Sequence, residues 1–216
     1  MAGILHVRGR TPYEAECAEK GGADRLVVVS DDDLSPAPEI MAKVRKASTV
    51  HLRVLLRLRE GYLTDGGELT RLQGLASAYR EAGADGFIFG FLNAMSGIDR
   101  RACQELMGDN TWGWTFDRAI DAALDQDRAW RDVETLPRLD SIMTAGSARE
   151  VEQGLDRLIE SSNDNLIVAG GLRPEHIPWL IRGGLRQFYM EVTPITHESV
   201  RSWRRLIDEE LDRLPR

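Results

Sequence analysis

The chain has 216 residues, of which 42% are hydrophobic and 29% are charged, and its formal net charge is −7. This composition is typical of a globular protein and argues against disorder, and no stretch approaches the roughly 18 uninterrupted apolar residues of a transmembrane helix. The negative charge gives no electrostatic reason to expect a nucleic-acid partner, because binding to phosphates is driven by a basic surface.

Short apolar runs alternate with longer amphipathic stretches along the whole chain. We predict strands at Ile4–Val7, Arg25–Val29, Leu52–Leu56, Gly86–Phe89, Thr111–Phe116, Ser141–Thr144, Leu166–Val168 and Gln187–Met190. Strands that alternate with helices pair in parallel, because each helix carries the chain back across the sheet. Eight units average about 27 residues, which predicts one α/β domain over residues 1–216, a (β/α)8 TIM barrel. The alternative is a doubly wound open sheet, which usually has fewer strands at this length.

Helix boundaries carry local signals. A hydroxyl residue three positions before a glutamate, or a proline in the first turn, marks a helix start. These signals occur at Thr11, at Ser35-Pro36, at Ser147 and at Arg173-Pro174. The triplets Gly22–Asp24 and Gly83–Asp85 each place a glycine as a helix terminator before the next strand.

In such a barrel the active site lies where the strands end and the following loops begin. The residues at the predicted strand ends are His6, Arg8, Ser30 to Asp33, Arg57, Arg59, Asn93, Asp117, Arg118, Thr144 to Gly146, Gly170 to Arg173, Tyr189 and Glu191. We therefore expect a barrel mouth that is rich in arginine.

Two pairs at these strand ends are catalytic or binding candidates. Arg57 and Arg59 alternate, so both are expected to point into the mouth and bind an anion, or both to point outward and pair with surface carboxylates. Asp117 and Arg118 are neighbours on a strand, so only one of them is expected to point inward. Asp117 is the candidate acid or base, with Arg118 and Arg57 as further catalytic candidates, and the alternative for Asp117 is a structural salt bridge.

The loop after the seventh strand suggests an anion site. Gly170 and Gly171 allow a close approach of the backbone to a ligand, and the helix that begins after Arg173 presents unpaired N–H groups to an anion. Thr144 and Gly146, at the end of the sixth strand, and Arg173 in the loop itself are further candidate donors. We predict that these residues bind a small anionic molecule, and the alternative is an ordinary glycine turn that enters a helix.

Metal ligands are few. Cys17 and Cys103 are isolated, the four histidines are scattered, and neither Cys-x-x-Cys nor Met-x-x-Met occurs. We therefore predict no metal site and no cofactor from the residues themselves. The first residues, MAGILHVRGRT, contain no basic region followed by an apolar run, so we expect a cytoplasmic protein without a membrane partner.

Several stretches, taken in order, resemble the signatures of the CutC copper-homeostasis family. They are Gly22–Leu26, Leu34–Pro36, Arg57–Arg59 with Asp65, Gly83–Gly90, Gly97–Asp99, Thr115–Asp121, Thr144–Gly146 with Gly154-Leu155, and Ala169–Arg173. The resemblance is collinear and spans about residues 4 to 190. It implies a (β/α)8 barrel, a cytosolic location, a homodimer and a role in copper homeostasis, and it is the only indication of copper.

The chain departs from the family pattern at four strands. Asp117 stands where the family has a fifth-strand histidine, and Tyr189 where it has a last-strand histidine. His6 replaces a first-strand glutamate, and the cysteine of the second strand is lost at Val27 to Val29. The departures imply the loss of copper ligands, whereas the arginine pair, Arg118 and the glycine loop imply a retained anion-binding mouth.

Three functional hypotheses stay open, and the sequence does not decide whether the protein is an enzyme. The first is a copper-handling protein of the CutC type. The second is a small-molecule enzyme, because Val7–Thr11 and Ala169–Glu175 resemble the first strand and the phosphate loop of phosphoribosylanthranilate isomerase. Arg8 stands where that enzyme has its catalytic cysteine, which argues against the same reaction. The third is an inactive scaffold that acts through oligomer contacts.

Overall fold

The computed structural model describes residues 2–109, 111–161 and 163–214, and it confirms the predicted (β/α)8 barrel. Eight parallel strands follow one another in chain order, and β8 pairs with β1 to close the barrel. The strands are β1 (Ile4–Gly9), β2 (Arg25–Val28), β3 (His51–Leu55), β4 (Gly86–Phe89), β5 (Trp114–Phe116), β6 (Leu139–Thr144), β7 (Leu166–Val168) and β8 (Gln187–Met190).

A helix follows every strand. The helices are α1 (Pro12–Gly21), α2 (Pro38–Ala47), α3 (Gly66–Glu81), α4 (Arg100–Met107), α5 (Gln126–Glu134), α6 (Val151–Glu160), α7 (Ile177–Arg182) and α8 (His197–Asp212). Two 3-10 helices, at Arg118–Ala122 and Pro174–His176, precede α5 and α7. Within the described ranges, no helix has the length and apolar character needed to cross a membrane.

The termini of α1 follow the predicted signals. The Thr11 hydroxyl accepts a hydrogen bond from the Glu14 N–H at 3.1 Å, and Pro12 opens the helix. Gly22 ends it in the left-handed conformation, with φ of 89°, which glycine adopts without steric cost. Gly83 is also left-handed, with φ of 95°, and directly follows Ala82, the C-cap of α3.

Two predicted helix starts were wrong. The second helix begins at Pro38 instead of Pro36, because Ser35 is tied to the end of β3: its N–H donates to the Arg57 carbonyl at 2.8 Å. The sixth begins at Val151 instead of near Ser147, whose hydroxyl donates to the Glu150 carbonyl at 2.8 Å and closes a turn before the helix.

Two predicted strand boundaries also shifted, one at the mouth and one at the opposite end of the barrel. The first strand extends to Gly9, so Arg8 belongs to the barrel wall. The fifth strand begins at Trp114, three residues later than predicted, and its pairing with β6 shifts between Trp114 and Thr115. Gly113 precedes this shift, and a β-carbon there would lie 2.4 Å from a carboxylate oxygen of Asp140.

The barrel separates two apolar regions. The larger region lies between the strands and the helices and contains outward-facing strand residues such as Leu5 and Phe87. The smaller region consists of residues that lie in the strands or directly after them, and it fills the upper barrel interior. It comprises Val27, Val29, Leu55, Ile88, Met143, Ile167, Ala169 and Tyr189. The mouth of the barrel therefore rests on a packed apolar layer.

A polar layer lies in the lower barrel interior. His6 is fully buried and contacts Gln187 at 3.1 Å, while Arg53 is bound by the Asp140 carboxylate, at 2.8 and 2.5 Å, and by Thr115. The Gln187 amide nitrogen donates to the Asp164 carbonyl at 2.6 Å, so its oxygen faces His6, and His6 Nε2 carries the proton. Burial lowers the pKa of His6 to about 3, which keeps this ring neutral at physiological pH.

Candidate functional site

The C-terminal mouth of the barrel encloses a cavity of about 320 Å³. Its walls combine the apolar layer with charged residues from the strand ends. The lining residues are Arg8, Val27, Val29, Asp33, Leu55, Arg57, Tyr62, Ile88, Asp117, Arg118, Met143, Tyr189 and Glu191. We call this space the mouth cavity. An apolar floor with a few converging polar groups is the usual composition of a small-molecule site.

Arg57 and Asp117 form an ion pair in the wall of the mouth cavity. Arg57 follows the end of β3, and its N–H donates to the Ser35 hydroxyl at 2.8 Å, which fixes the backbone there. Its guanidinium donates to Asp117 and lies 4.5 Å from the ring centre of Tyr62. All three predicted catalytic residues, Asp117, Arg118 and Arg57, line this one cavity.

Asp117 is held in place from several sides. Its other carboxylate oxygen accepts the Ala119 N–H at 2.8 Å, because Asp117 caps the 3-10 helix that follows β5. Gly90 leaves room for it, since a β-carbon at that position would lie 2.4 Å from the carboxylate. Burial raises the pKa of Asp117, whereas Arg57 and the Ala119 N–H oppose that rise. A buried carboxyl with a raised pKa in a cleft is a candidate proton donor or acceptor.

Arg118 also lines the mouth cavity, contrary to the expectation that only one of Asp117 and Arg118 points inward. The reason is that β5 ends at Phe116, so the alternation of a strand no longer applies to them. Arg118 donates to Asp121 at 2.9 Å and to the Arg149 carbonyl at 2.7 Å.

Asp121 binds the donors that were predicted at the end of β6. Its carboxylate accepts the Thr144 hydroxyl at 2.5 Å and the Ala145 N–H at 2.8 Å. The Gly146 N–H donates to the Thr144 side chain at 2.9 Å, so it too has an internal partner. Burial raises the pKa of Asp121, and its hydrogen bonds oppose the rise. Thr144 and Gly146 thus belong to a buried network around a carboxylate of the chain itself.

The backbone of the glycine loop, Gly170 to Arg173, is likewise bound by a carboxylate of the chain itself. The Gly170 and Gly171 N–H groups both point to one oxygen of Glu191, at 3.2 and 3.3 Å. Both glycines have positive φ, 89° and 70°. The missing side chain of Gly170 makes room for Arg118, because a β-carbon there would lie 2.2 Å from Nη1 of that guanidinium.

Two predicted anion-binding arginines lie outside the mouth cavity. Arg59 turns away from Arg57 because both follow the end of β3, and it contacts Asp65 at 3.3 Å and Glu68 at 3.0 Å at the start of α3. Arg173 is half exposed and pairs with Glu152 at 2.6 Å and Glu175 at 3.4 Å. For Arg59 this agrees with the alternative of pairing with carboxylates outside the mouth.

Sequence reasoning did not select five charged or aromatic residues of the mouth cavity as site residues, namely Arg8, Asp33, Tyr62, Tyr189 and Glu191. Arg8 donates to both carboxylate oxygens of Asp33, at 3.1 and 3.0 Å, and to the Glu191 carbonyl at 3.2 Å. The alternation of His6 and Arg8 along β1 was the signal that could have placed Arg8 inside the barrel. No pattern in the sequence indicates Tyr62, because it lies in the loop between β3 and α3.

Comparison with known proteins decides the family. The sequence model described as the CutC family matches residues 6–192. The chain belongs to the CutC family. A copper homeostasis protein cutC homolog of Homo sapiens is 28% identical over 183 residues, which cover 80% of this chain and 67% of the relative. A CutC family protein of Bacteroides thetaiotaomicron is 30% identical over 198 residues, 86% of this chain and 77% of the relative.

A solved CutC structure has the same fold. The crystal structure of a copper homeostasis protein CutC from Streptococcus agalactiae aligns with a TM-score of 0.77, over 87% of this chain and 97% of the other. The two sequences are 16% identical, so this likeness concerns the barrel alone. Asp117, which the family resemblance places at the position of an expected fifth-strand histidine, pairs with Arg57 in this barrel.

The donors that the structure provides do not fit copper. Cys17 and Cys103 are both buried, in α1 and α4, outside the barrel mouth. Burial raises the pKa of the Cys103 thiol, which opposes the thiolate form that binds metals. Among the described residues that line the mouth cavity, Met143 is the one that carries sulfur. Across the described parts of the chain, no group of three or more His, Cys, Asp or Glu side chains is placed to hold a metal ion.

Proposed function

We propose that this CutC protein binds a small organic molecule that carries an anionic group, and that the binding site is the mouth cavity. The observation that carries the proposal is the Arg57–Asp117 pair in the wall of a cavity of about 320 Å³. This volume lies at the lower end of the range for small-molecule sites. The proposed site also lies at the C-terminal ends of the strands, where barrel enzymes bind their substrates.

Arg57 is the residue that we propose contacts the anionic group. One of its nitrogens donates to Asp117, and its guanidinium lies over Tyr62. A guanidinium has five N–H donors, so this pairing leaves donors for a ligand. A charge-assisted arginine contact typically contributes about 1.5 to 3 kcal/mol.

Charge in the mouth cavity favours a ligand of low charge. Three arginines line it, and three carboxylates, Asp33, Asp117 and Glu191, line it with them. The lining is thus close to neutral, and a highly charged anion gains little from it. An anionic group on a ligand with an apolar body matches both the arginine and the apolar floor.

A second candidate function is acid–base catalysis on the bound molecule. It is favoured by the raised pKa of Asp117, which brings this carboxyl closer to neutral pH than an exposed aspartate. In this proposal Arg57 positions the substrate and Asp117 exchanges a proton with it. The structures and names of the relatives do not assign such a reaction to this chain.

The names of the relatives refer to copper homeostasis, and we propose the same process for this chain. Since its residues do not fit copper, the proposed contribution is through the small molecule in the mouth cavity. Competition titration with Cu(I) tests this point. We expect no tight binding of one copper per chain, and tight binding that is lost when Cys17 or Cys103 is replaced would contradict the proposal.

Calorimetric titration with acetate, succinate and inorganic phosphate tests the site itself. We expect Arg57→Met to weaken binding of the best of these anions at least tenfold. Arg59→Met is the matched control, because Arg59 pairs with Asp65 and Glu68 outside the mouth cavity. Equal losses in the two variants would show that general surface charge, and not the mouth cavity, attracts the anion.

A further inference from the structure

The carboxylate of Glu191 is bound by the backbone of the loop after β7. One of its oxygens accepts the Gly170 N–H at 3.2 Å and the Gly171 N–H at 3.3 Å. Glu191 follows β8, and its own carbonyl accepts a hydrogen bond from Arg8 at 3.2 Å, which holds its backbone at the rim of the mouth cavity. The carboxylate of Glu191 thus joins the loop after β7 to the end of β8.

The geometry of these two amides is that of an anion site. Successive N–H groups around residues of positive φ form a concave surface that attracts negative charge. The loops after the seventh and eighth strands are also where barrels often bind phosphate. In this chain the same N–H groups point to Glu191, so an external phosphate would have to displace a carboxylate.

Arg118 completes the arrangement. Its guanidinium packs against Gly170, which has no side chain to exclude it. Arg118 uses Nε for Asp121 and Nη2 for the Arg149 carbonyl, and within the described residues Nη1 has no hydrogen-bond partner. The Gly170 and Gly171 amides therefore point to the Glu191 carboxylate, and the Arg118 guanidinium lies next to them, beside Gly170.

We infer that Glu191 is a specificity-determining residue, which excludes phosphate from the β7 loop and restricts the mouth cavity to carboxylate ligands. A phosphate has three terminal oxygens and needs several donors, which the β7 loop would supply if Glu191 were absent. A carboxylate is planar and is satisfied by a single guanidinium in bidentate contact. The second half of the inference, that Arg57 receives the carboxylate, rests on the function proposed above.

The test compares inorganic phosphate with succinate on the wild-type chain and on variants of Glu191, by calorimetry. We expect the wild type to bind succinate more tightly than phosphate. Glu191→Ala should bind phosphate at least tenfold more tightly than the wild type, and adding Arg118→Gln should remove that gain. Glu191→Gln should show a smaller gain, because its amide oxygen can still accept from the two N–H groups.

Glu175→Ala is the matched control. It removes one negative charge close to the same loop, but Glu175 is 63% exposed and pairs with Arg173 without touching the Gly170 and Gly171 amides. Its phosphate affinity should stay within about twofold of the wild type. An equal gain in Glu175→Ala would overturn the inference, because it would trace the effect to net charge.

The remaining outcomes separate this inference from the proposed function. If folded Glu191→Ala gains no phosphate affinity, the inference is overturned, while succinate binding that depends on Arg57 would still support the proposed site. If the alanine variant does not fold, Glu191→Gln decides, and the absence of any gain overturns the inference. If Glu191→Ala gains phosphate affinity but Arg57→Met leaves succinate binding unchanged, the role of Glu191 stands and the proposed site is wrong.

Discussion

Arg57 and Asp117 pair inside the mouth cavity with side chains that are 17% and 6% exposed, so water screens neither charge well. Breaking a buried pair from one side leaves an uncompensated charge. We therefore expect Arg57→Met to lower the free energy of unfolding by about 3 kcal/mol at pH 8, measured by urea denaturation.

The pH dependence of this variant has a definite sign. The pKa of Asp117 is already raised by burial, and loss of Arg57 raises it further. A carboxyl whose pKa is raised on folding contributes stability below its unfolded pKa and loses that contribution as pH rises through the folded pKa. Arg57→Met should thus recover towards the wild type between pH 8 and pH 4. A loss of unfolding free energy that stays constant over this range would contradict the assignment of the pH dependence to Asp117. So would a loss that also varies with pH in the Arg57→Met, Asp117→Asn double variant.

Asp117→Asn tests the opposite side of the pair. Asparagine keeps an oxygen that can accept the Ala119 N–H, but it removes the negative charge beside Arg57. We expect the affinity for succinate to rise by about tenfold, equivalent to about 1.4 kcal/mol, because the guanidinium is no longer neutralised. Calorimetry measures the change. The control is Asp65→Asn, whose carboxylate pairs with Arg59 outside the mouth cavity, and a weaker affinity in Asp117→Asn would show that the carboxylate itself contacts the ligand.

Arg53 and Asp140 form the charged contact of the polar layer below the mouth. Arg53 is 4% exposed and Asp140 is 39% exposed, so water partly replaces a lost aspartate but does not reach the arginine. We expect Asp140→Asn to cost about 2 kcal/mol of unfolding free energy. Arg53→Met, combined with Asp140→Asn in a double-mutant cycle, should give a coupling energy of about 1 to 3 kcal/mol. Additive effects of the two changes would show that the pair is not coupled.

His6 makes the unfolding free energy of the barrel depend on pH. Its pKa falls from 6.5 to about 3 on folding, so its neutral form stabilises the fold above pH 6.5, and this contribution is lost as pH falls towards 3. Between pH 7 and pH 4.5 the loss is about 2 to 3 kcal/mol, since one pKa unit corresponds to about 1.4 kcal/mol. His6→Gln should lose less unfolding free energy than the wild type over this interval. Parallel pH profiles for the two proteins would show that His6 does not carry the effect.

Two glycines inside helices should respond to alanine with opposite signs. Gly154 of α6 packs on the end of β6, and a β-carbon there would lie 1.9 Å from the Ala145 carbonyl oxygen. Gly154→Ala should destabilise the protein by about 3 kcal/mol, because backbone must move. Gly74 of α3 has no atom within 4 Å of such a carbon, so Gly74→Ala should stabilise it by about 0.5 to 1 kcal/mol. Thermal unfolding measures both, and a stabilised Gly154→Ala would contradict the packing.

Local signals in the sequence were sufficient to predict the barrel fold. The alternation of apolar runs with amphipathic stretches predicted eight strands, and Gly22 and Gly83 marked where helices end because only a residue without a β-carbon adopts positive φ at no cost. The collinear signatures from Gly22–Leu26 to Ala169–Arg173 indicated the CutC family, which the family model confirms. The position of the mouth followed from the fold, since the loops after parallel strands gather at one end.

Only the tertiary structure decided which polar groups are free to meet a ligand. Gly170 and Gly171 were predicted as anion donors, but their N–H groups bind Glu191, about 20 residues further along the chain. Arg57 and Arg59 are two residues apart, yet one faces the mouth cavity and the other the start of α3. The physical reason is that hydrogen bonds and ion pairs are satisfied by whichever groups the closed barrel brings within about 3 Å, and spacing along the sequence does not contain that distance.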